Sequence, residues 1–98
     1  MAWQSLVKTD VRLAQVLGVS PPAVRDAARR RKMVREVDGR WDVLRVAPQW
    51  RQTTRPRLQR GQAREFRPWL DPCIPLASSV WDELVRRADA AGAEWKRR

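Results

Sequence analysis

A mainly α fold is what this 98-residue chain predicts: two short capped helices, a β-hairpin directly after them, and a further helix near the C-terminus. Three observations carry that expectation. The helix-starting pairs Thr9-Asp10 and Ser20-Pro21 flank a helix-stopping Gly18. Asp38-Gly39 lies between two runs rich in valine. An Arg-rich stretch broken by Pro56, Gly61 and Pro68 then separates these elements from an amphipathic segment.

The first helix is expected over residues 10–17, with Thr9 as its cap and an acid, Asp10, in its first turn. Leu13, Val16 and Leu17 form its apolar stripe, and Gly18 supplies the left-handed residue that ends it. Ser20 caps the second helix, which Pro21 and Pro22 open and which runs through Ala23, Val24, Ala27 and Ala28 toward Arg31. Ala14 is small enough for the two helices to approach closely, and Leu13, Leu17, Val19, Val24 and Ala27 fall at interior positions. That is the spacing of a helix-turn-helix.

Asp-Gly between two apolar runs is a strong hairpin signal. A two-residue turn would pair Val37 with Arg40, Glu36 with Trp41 and Val34 with Val43. Val34, Trp41 and Val43 would then cover the helices, with Trp41 in the core, and Arg35 and Arg40 would face solvent. A hairpin placed after such a helix is a wing, so residues 1–50 are read as a winged helix-turn-helix. Pro48 requires the helix after the wing to start late, kink or be short.

Residues 51–68 read as a flexible basic linker carrying Arg51, Arg55, Arg57, Arg60, Arg64 and Arg67. Residues 69–98 read as a C-terminal interaction segment. Its first part, apolar but broken by prolines, is expected to be extended. Ser79-Val80-Trp81-Asp82 has the form of a capping box, and a helix is expected from Val80 to Ala91, stopping at Gly92. Val80, Trp81, Leu84, Val85 and Ala88 share one apolar face. With Trp69 they are expected to bind a second copy or another protein, docking on the chain's own domain being the alternative.

The chain carries 21 Lys plus Arg against 11 Asp plus Glu, net +10, which favours a polyanionic partner. The excess is uneven, at +5 over residues 1–50, +5 over residues 51–68 and zero over residues 69–98. There is no His, only one Cys and no glycine-rich phosphate loop. The usual general base and a structural zinc site are therefore missing, so neither an enzyme nor a cofactor or metal is expected. No apolar run is long enough to span a membrane, and a single Cys73 points to a reducing compartment.

The residues expected at double-stranded DNA are Ser20, Pro22, Arg25, Asp26 and Arg29 along the second helix, then Arg30 and Lys32, Arg35 and Arg40 on the wing, and Arg55 and Arg57 in the linker. Arg can grip guanine edges in the major groove, while the remaining cations follow phosphates. Asp26 would orient the neighbouring arginines or disfavour wrong sequences.

From about Val11 to Arg57 the chain resembles the N-terminal DNA-binding domain of phage DNA-packaging proteins, the small terminase subunits. The resemblance lies in Leu13-Ala14-Gln15-Val16-Leu17-Gly18-Val19-Ser20, Pro22-Ala23-Val24, Asp38-Gly39 and Asp42. It continues through Gln49-Trp50, Thr53-Thr54 and Arg55-Pro56-Arg57. It implies recognition of viral DNA for packaging in the cytoplasm of a bacterial host cell, with a large terminase subunit as partner. Two other functions would use the same residues: a transcription regulator or excisionase-like recombination factor, and a virion component whose basic linker neutralises nucleic acid.

Overall fold

The computed structural model describes residues 3–53, 68–71 and 74–97. The order of elements is β1 (Trp3–Val7), α1 (Asp10–Leu17), α2 (Pro21–Arg29), β2 (Trp41–Asp42), α3 (Val43–Thr53), a 3-10 turn (Pro68–Leu70), α4 (Ser78–Ala90) and β3 (Glu94–Arg97). The fold is mainly helical, with one small antiparallel sheet in the order β2-β1-β3. Most of the linker expectation, including Arg55, Arg57, Arg60, Arg64 and Arg67, lies outside the described residues, as does Cys73. Its first three residues belong to α3.

Helices α1 and α2 form where the capping residues place them. Thr9 Oγ1 accepts the Arg12 N–H at 3.1 Å, and Ser20 Oγ accepts the Ala23 N–H at 3.3 Å. Gly18, at φ +75°, ends α1 in the left-handed region that glycine adopts without a Cβ clash. Leu13, Ala14, Val16 and Leu17 of α1 pack with Val24 and Ala27 of α2 in a single core.

The β-hairpin expected as a wing does not form: residues 33–37 are not a strand, and the turn at Asp38-Gly39 closes one residue wider than expected. Gly39 N–H bonds to the Glu36 carbonyl and Glu36 N–H bonds to the Arg40 carbonyl, both at 2.9 Å. The loop is therefore the three residues Val37-Asp38-Gly39, with Gly39 at φ +84°, and Glu36 stands opposite Arg40. The pairs Glu36–Trp41 and Val34–Val43 do not form. Trp41 and Asp42 pair instead with Val7 and Leu6 of β1. Val43 already begins α3, where Asp42 Oδ1 accepts the Leu44 N–H at 3.2 Å. Residues 34–36 lie beside α3, held by Gln49 Oε1 accepting the Val34 N–H at 3.0 Å and by Arg45 paired to Glu36 at 3.2 Å. Trp41 and Val43 are buried, whereas Val34 is exposed. Helix α3 runs unbroken through Pro48, so it neither starts late nor shrinks to one turn.

The C-terminal third is part of this core rather than a separate segment. Trp69, Leu84 and Ala88 are almost wholly inaccessible, and Val80 and Trp81 pack against the same cluster. Helix α4 starts at Ser78 with Ala77 before it, so the Ser79 capping box does not form. It ends as expected near Gly92, where Gly92 N–H bonds to the Asp89 carbonyl and Ala93 N–H to the Ala88 carbonyl, each at 3.0 Å. Strand β3 then pairs with β1 from Trp3–Arg97 to Leu6–Glu94. The apolar face expected to bind another chain is covered by this chain's own helices, because a domain this small cannot close its core without it.

Helix α1 shows why. The last four carbonyls of a helix have no partner within it. Ala14 O accepts Gly18 N–H at 2.9 Å, and Leu17 O accepts Trp69 Nε1 at 3.3 Å. Gln15 O and Val16 O accept Arg87 from α4, at 3.2 and 2.7 Å. The Arg87 guanidinium also lies 5.1 Å from the centre of the Trp69 ring. Helix α1 has no basic residue in its own last turn, so Arg87 supplies the cation that favours a helix C-terminus.

Two expectations follow. A chain cut back to residues 1–67 should lose cooperative thermal unfolding by circular dichroism, and a sharp transition near that of the full chain would contradict the shared core. Arg87→Ala should lower stability by about 1.5–3 kcal/mol, the range for hydrogen bonds to a charged group. Arg86→Ala, which removes an exposed pair to Glu83, should stay within about 0.5 kcal/mol in the same urea titrations.

Candidate nucleic-acid interface

The buried side of α2 fixes which residues it shows to solvent. With Val24 and Ala27 in the core, the positions three and four residues apart on the other side are Pro22, Arg25, Asp26 and Arg29. Pro22, Arg25 and Arg29 are exposed and Asp26 is half-buried. A nine-residue helix is about 13 Å long, comparable to the width of about 12 Å of a DNA major groove. Ser20, also exposed, spends its hydroxyl on capping this helix.

The C-terminal end of α2 adds further charge. Arg30 is the last cap, and Arg31 takes φ +57°, the only positive φ outside glycine among the described residues. Lys32 N–H bonds to the Ala27 carbonyl at 2.9 Å and Arg31 N–H to the Ala28 carbonyl at 3.1 Å. This is the left-handed helix ending that Gly18 and Gly92 make elsewhere, here with an arginine in the glycine position. Arg31 has no ion-pair partner among the described residues.

The carboxylates on this face hold the arginines. Asp26 pairs with Arg29 at 2.6 Å and with Arg30 at 3.3 Å. The Arg29 hydrogen bond, aided by the nearby Arg30 and Lys32 charges, pulls the Asp26 carboxyl below its ordinary value, so it is ionised at neutral pH. Asp10 pairs with Arg35 at 2.5 Å and lies 3.7 Å from Arg25. The Arg35 guanidinium also lies 4.9 Å from the centre of the Trp41 ring. Arg25, Arg29, Arg30, Arg31, Lys32 and Arg35 set against Asp10 and Asp26 leave this region at +4.

Arg40 does not belong with these cations. Its side chain is 19% exposed and bonds to both Asp38 and Glu94, tying the loop to β3. The Asp38 hydrogen bond raises the Arg40 guanidinium and lowers the Asp38 carboxyl. The expectation of a solvated Arg40 on the wing fails because the C-terminal strand, which the sequence did not reveal, lies beside the loop. Val37, at the loop tip, is fully exposed instead. Of the interaction residues, Trp69, Leu84 and Ala88 are buried in the chain's own core, and Val80, Trp81 and Val85 are half-buried.

Asp10 is the residue that sequence reasoning passed over, having read it only as an acid in a first helical turn. A buried Trp needs a partner for its indole N–H, which was the available signal. Trp41 Nε1 donates to Asp10 Oδ1 at 2.9 Å. Among the described residues no group of three or more His, Cys, Asp or Glu is placed to hold a metal, and no helix is long and apolar enough to cross a membrane. Comparison with family models, curated proteins and solved structures finds no significant match.

An L-residue in the left-handed region is strained by about 1–2 kcal/mol, partly offset by the greater freedom glycine loses on folding. Arg31→Gly should therefore raise stability by about 0.5–1 kcal/mol in urea unfolding. A fall in stability would mean that the arginine is held there by interactions of its own.

Proposed function

We propose that the chain is a non-enzymatic double-stranded DNA-binding protein of phage or prophage type, built on a helix-turn-helix. Helix α2 lies in the major groove, where Arg25 and Arg29 meet base edges. Arg30, Arg31, Lys32 and Arg35 neutralise phosphates on either side. The supporting observation is the composition of the exposed side of α2, on which arginines project from a helix fixed on its other side by Val24 and Ala27. A helix with freely moving arginines would bind polyanions without reading them. Here Arg29 is hydrogen-bonded to Asp26 at 2.6 Å and Arg25 lies 3.7 Å from Asp10, which narrows the range of positions the two guanidiniums take.

The finer role, recognition of viral DNA for packaging, rests on the residues that resemble small terminase subunits: Leu13 to Ser20, the Asp38-Gly39 turn, and Gln49-Trp50 at the end of α3. In that role the chain hands DNA to a large terminase subunit and performs no chemistry itself.

Selection from a pool of randomised duplexes, followed by titration of the enriched sequence, tests the DNA reading. Arg25→Ala and Arg29→Ala should each weaken binding to the enriched duplex by about 1–3 kcal/mol and weaken binding to mixed-sequence DNA less. Removing Arg30 and Lys32 together should reduce the slope of log affinity against log salt by about 0.9 for each phosphate no longer neutralised. Failure to enrich any sequence, or full affinity in both α2 variants, would remove the base-reading role.

A further inference from the structure

We infer that Asp10 is a positioning residue for DNA recognition, presetting Arg25 for the groove and Arg35 for the phosphate beside it, and weakening the pull on phosphate in the space between them. The inference rests on the reading that α2 docks on DNA, and it assigns a specificity role to a residue outside that helix. Three elements converge on this one carboxylate. Arg25 comes from α2, Arg35 from the segment that follows it, and Trp41 Nε1 from β2. Asp10 itself is the first residue of α1, and its side chain is 19% exposed.

The geometry separates a rigid side from a mobile one. Trp41 is wholly buried, so its indole N–H is a fixed point. By donating to Oδ1 at 2.9 Å it fixes the carboxylate, which accepts a hydrogen bond from Arg35 at 2.5 Å and draws Arg25 to 3.7 Å by charge alone. Arg35 is held a second time by lying over the Trp41 ring. Exposed ion pairs add little to stability, so the consequence is one of placement. An arginine ordered before binding loses less freedom when it grips a base.

The negative charge has a second effect. The carboxylate takes one unit from the +2 of the two guanidiniums and so weakens the pull on a phosphate brought to that point. The guanidinium N–H groups not turned to Asp10 stay available to a base edge. Docking in a wrong register, with backbone where bases belong, thereby gains less. Asp10 lowers affinity for DNA in general and raises discrimination.

The test compares the parent with Asp10→Asn and with a charge control, Asp82→Asn, which removes an exposed acid from α4. Asparagine keeps an acceptor for Trp41 Nε1 and loses only the charge. Both variants should bind a mixed-sequence duplex somewhat more tightly, as removal of any acid allows. Asp82→Asn should gain equally on the enriched duplex and keep the parent's specificity ratio. Asp10→Asn should lose specificity by about tenfold, within the range for one base-edge interaction. In a chain already carrying Arg25→Ala and Arg35→Ala, Asp10→Asn should change the ratio no further, whereas a purely structural role would still move it. If Asp10→Asn does not fold, Asp10→Glu takes its place, since it keeps the charge but displaces the carboxylate. The same direction of change is then expected. A ratio equal to that of Asp82→Asn, or an undiminished effect without the two arginines, overturns the inference. A parent that enriches no sequence overturns the DNA reading instead.

Discussion

The C-terminal carbonyls of α1 are the constraint around which the chain is arranged. Gly18 turns the backbone back on Ala14, but it cannot reach Gln15, Val16 and Leu17. Their partners come from Trp69, 52 residues beyond Leu17, and from Arg87, 71 residues beyond Val16. A short helix whose end faces the interior would otherwise bury unsatisfied carbonyls, each a penalty comparable to a missing hydrogen bond. The aromatic and the guanidinium solve this together. One brings apolar area and a single donor, the other brings donors and a positive charge at the negative end of the helix dipole. Because both lie in the last third of the sequence, that third is integral to the fold. Strand β3 follows from the same closure, since α4 ends at Gly92 in a position to return along β1.

The opposite end of α1 carries the polar counterpart. Asp10 faces the exposed surface of α2 and the segment beyond it, while the indole of Trp41 anchors it from within. A helix of eight residues is thus closed at one end by donors to its free carbonyls and at the other by an acid that gathers an indole and two arginines. The pairs on α2 and around Asp10 are mostly exposed, so their contribution to stability is small and their effect is to order side chains. The Arg40 pairs differ, since they join the loop to β3 and withdraw that arginine from the exposed set. Among the described residues the basic face runs from Arg25 along α2 to Lys32 and Arg35, without Arg40.

What could be read from the sequence was local. The capping residues Thr9 and Ser20, the stop at Gly18, the turn at Asp38-Gly39 and the helix stop at Gly92 each act through bonds a few residues long. The composition of the exposed side of α2 was legible for the same reason, since helical spacing fixes which residues oppose Val24 and Ala27. The hairpin register was not legible. Whether Asp-Gly closes a two- or three-residue loop depends on where the flanking residues find partners, and Trp41 and Asp42 find theirs on β1. Ser79 reads as a cap because Asp82 stands three residues after it, whereas Ala77, the residue at the actual cap position, has no side chain that could signal a start.

The sequence by itself determined where α1, α2 and α4 lie in outline, which residues are apolar, and that the chain is strongly basic. Tertiary structure alone decided that β1 and β3 exist as strands, that Trp69, Leu84 and Ala88 lie in the chain's own core, and that Arg40 is bound while Arg29 is exposed. It alone made Asp10 a junction of three elements. Helix caps and turns are satisfied by near neighbours and leave a pattern in the sequence. Sheet pairing, end-capping of α1 and the partners of a buried indole are satisfied by residues distant in sequence, and no local spacing records them.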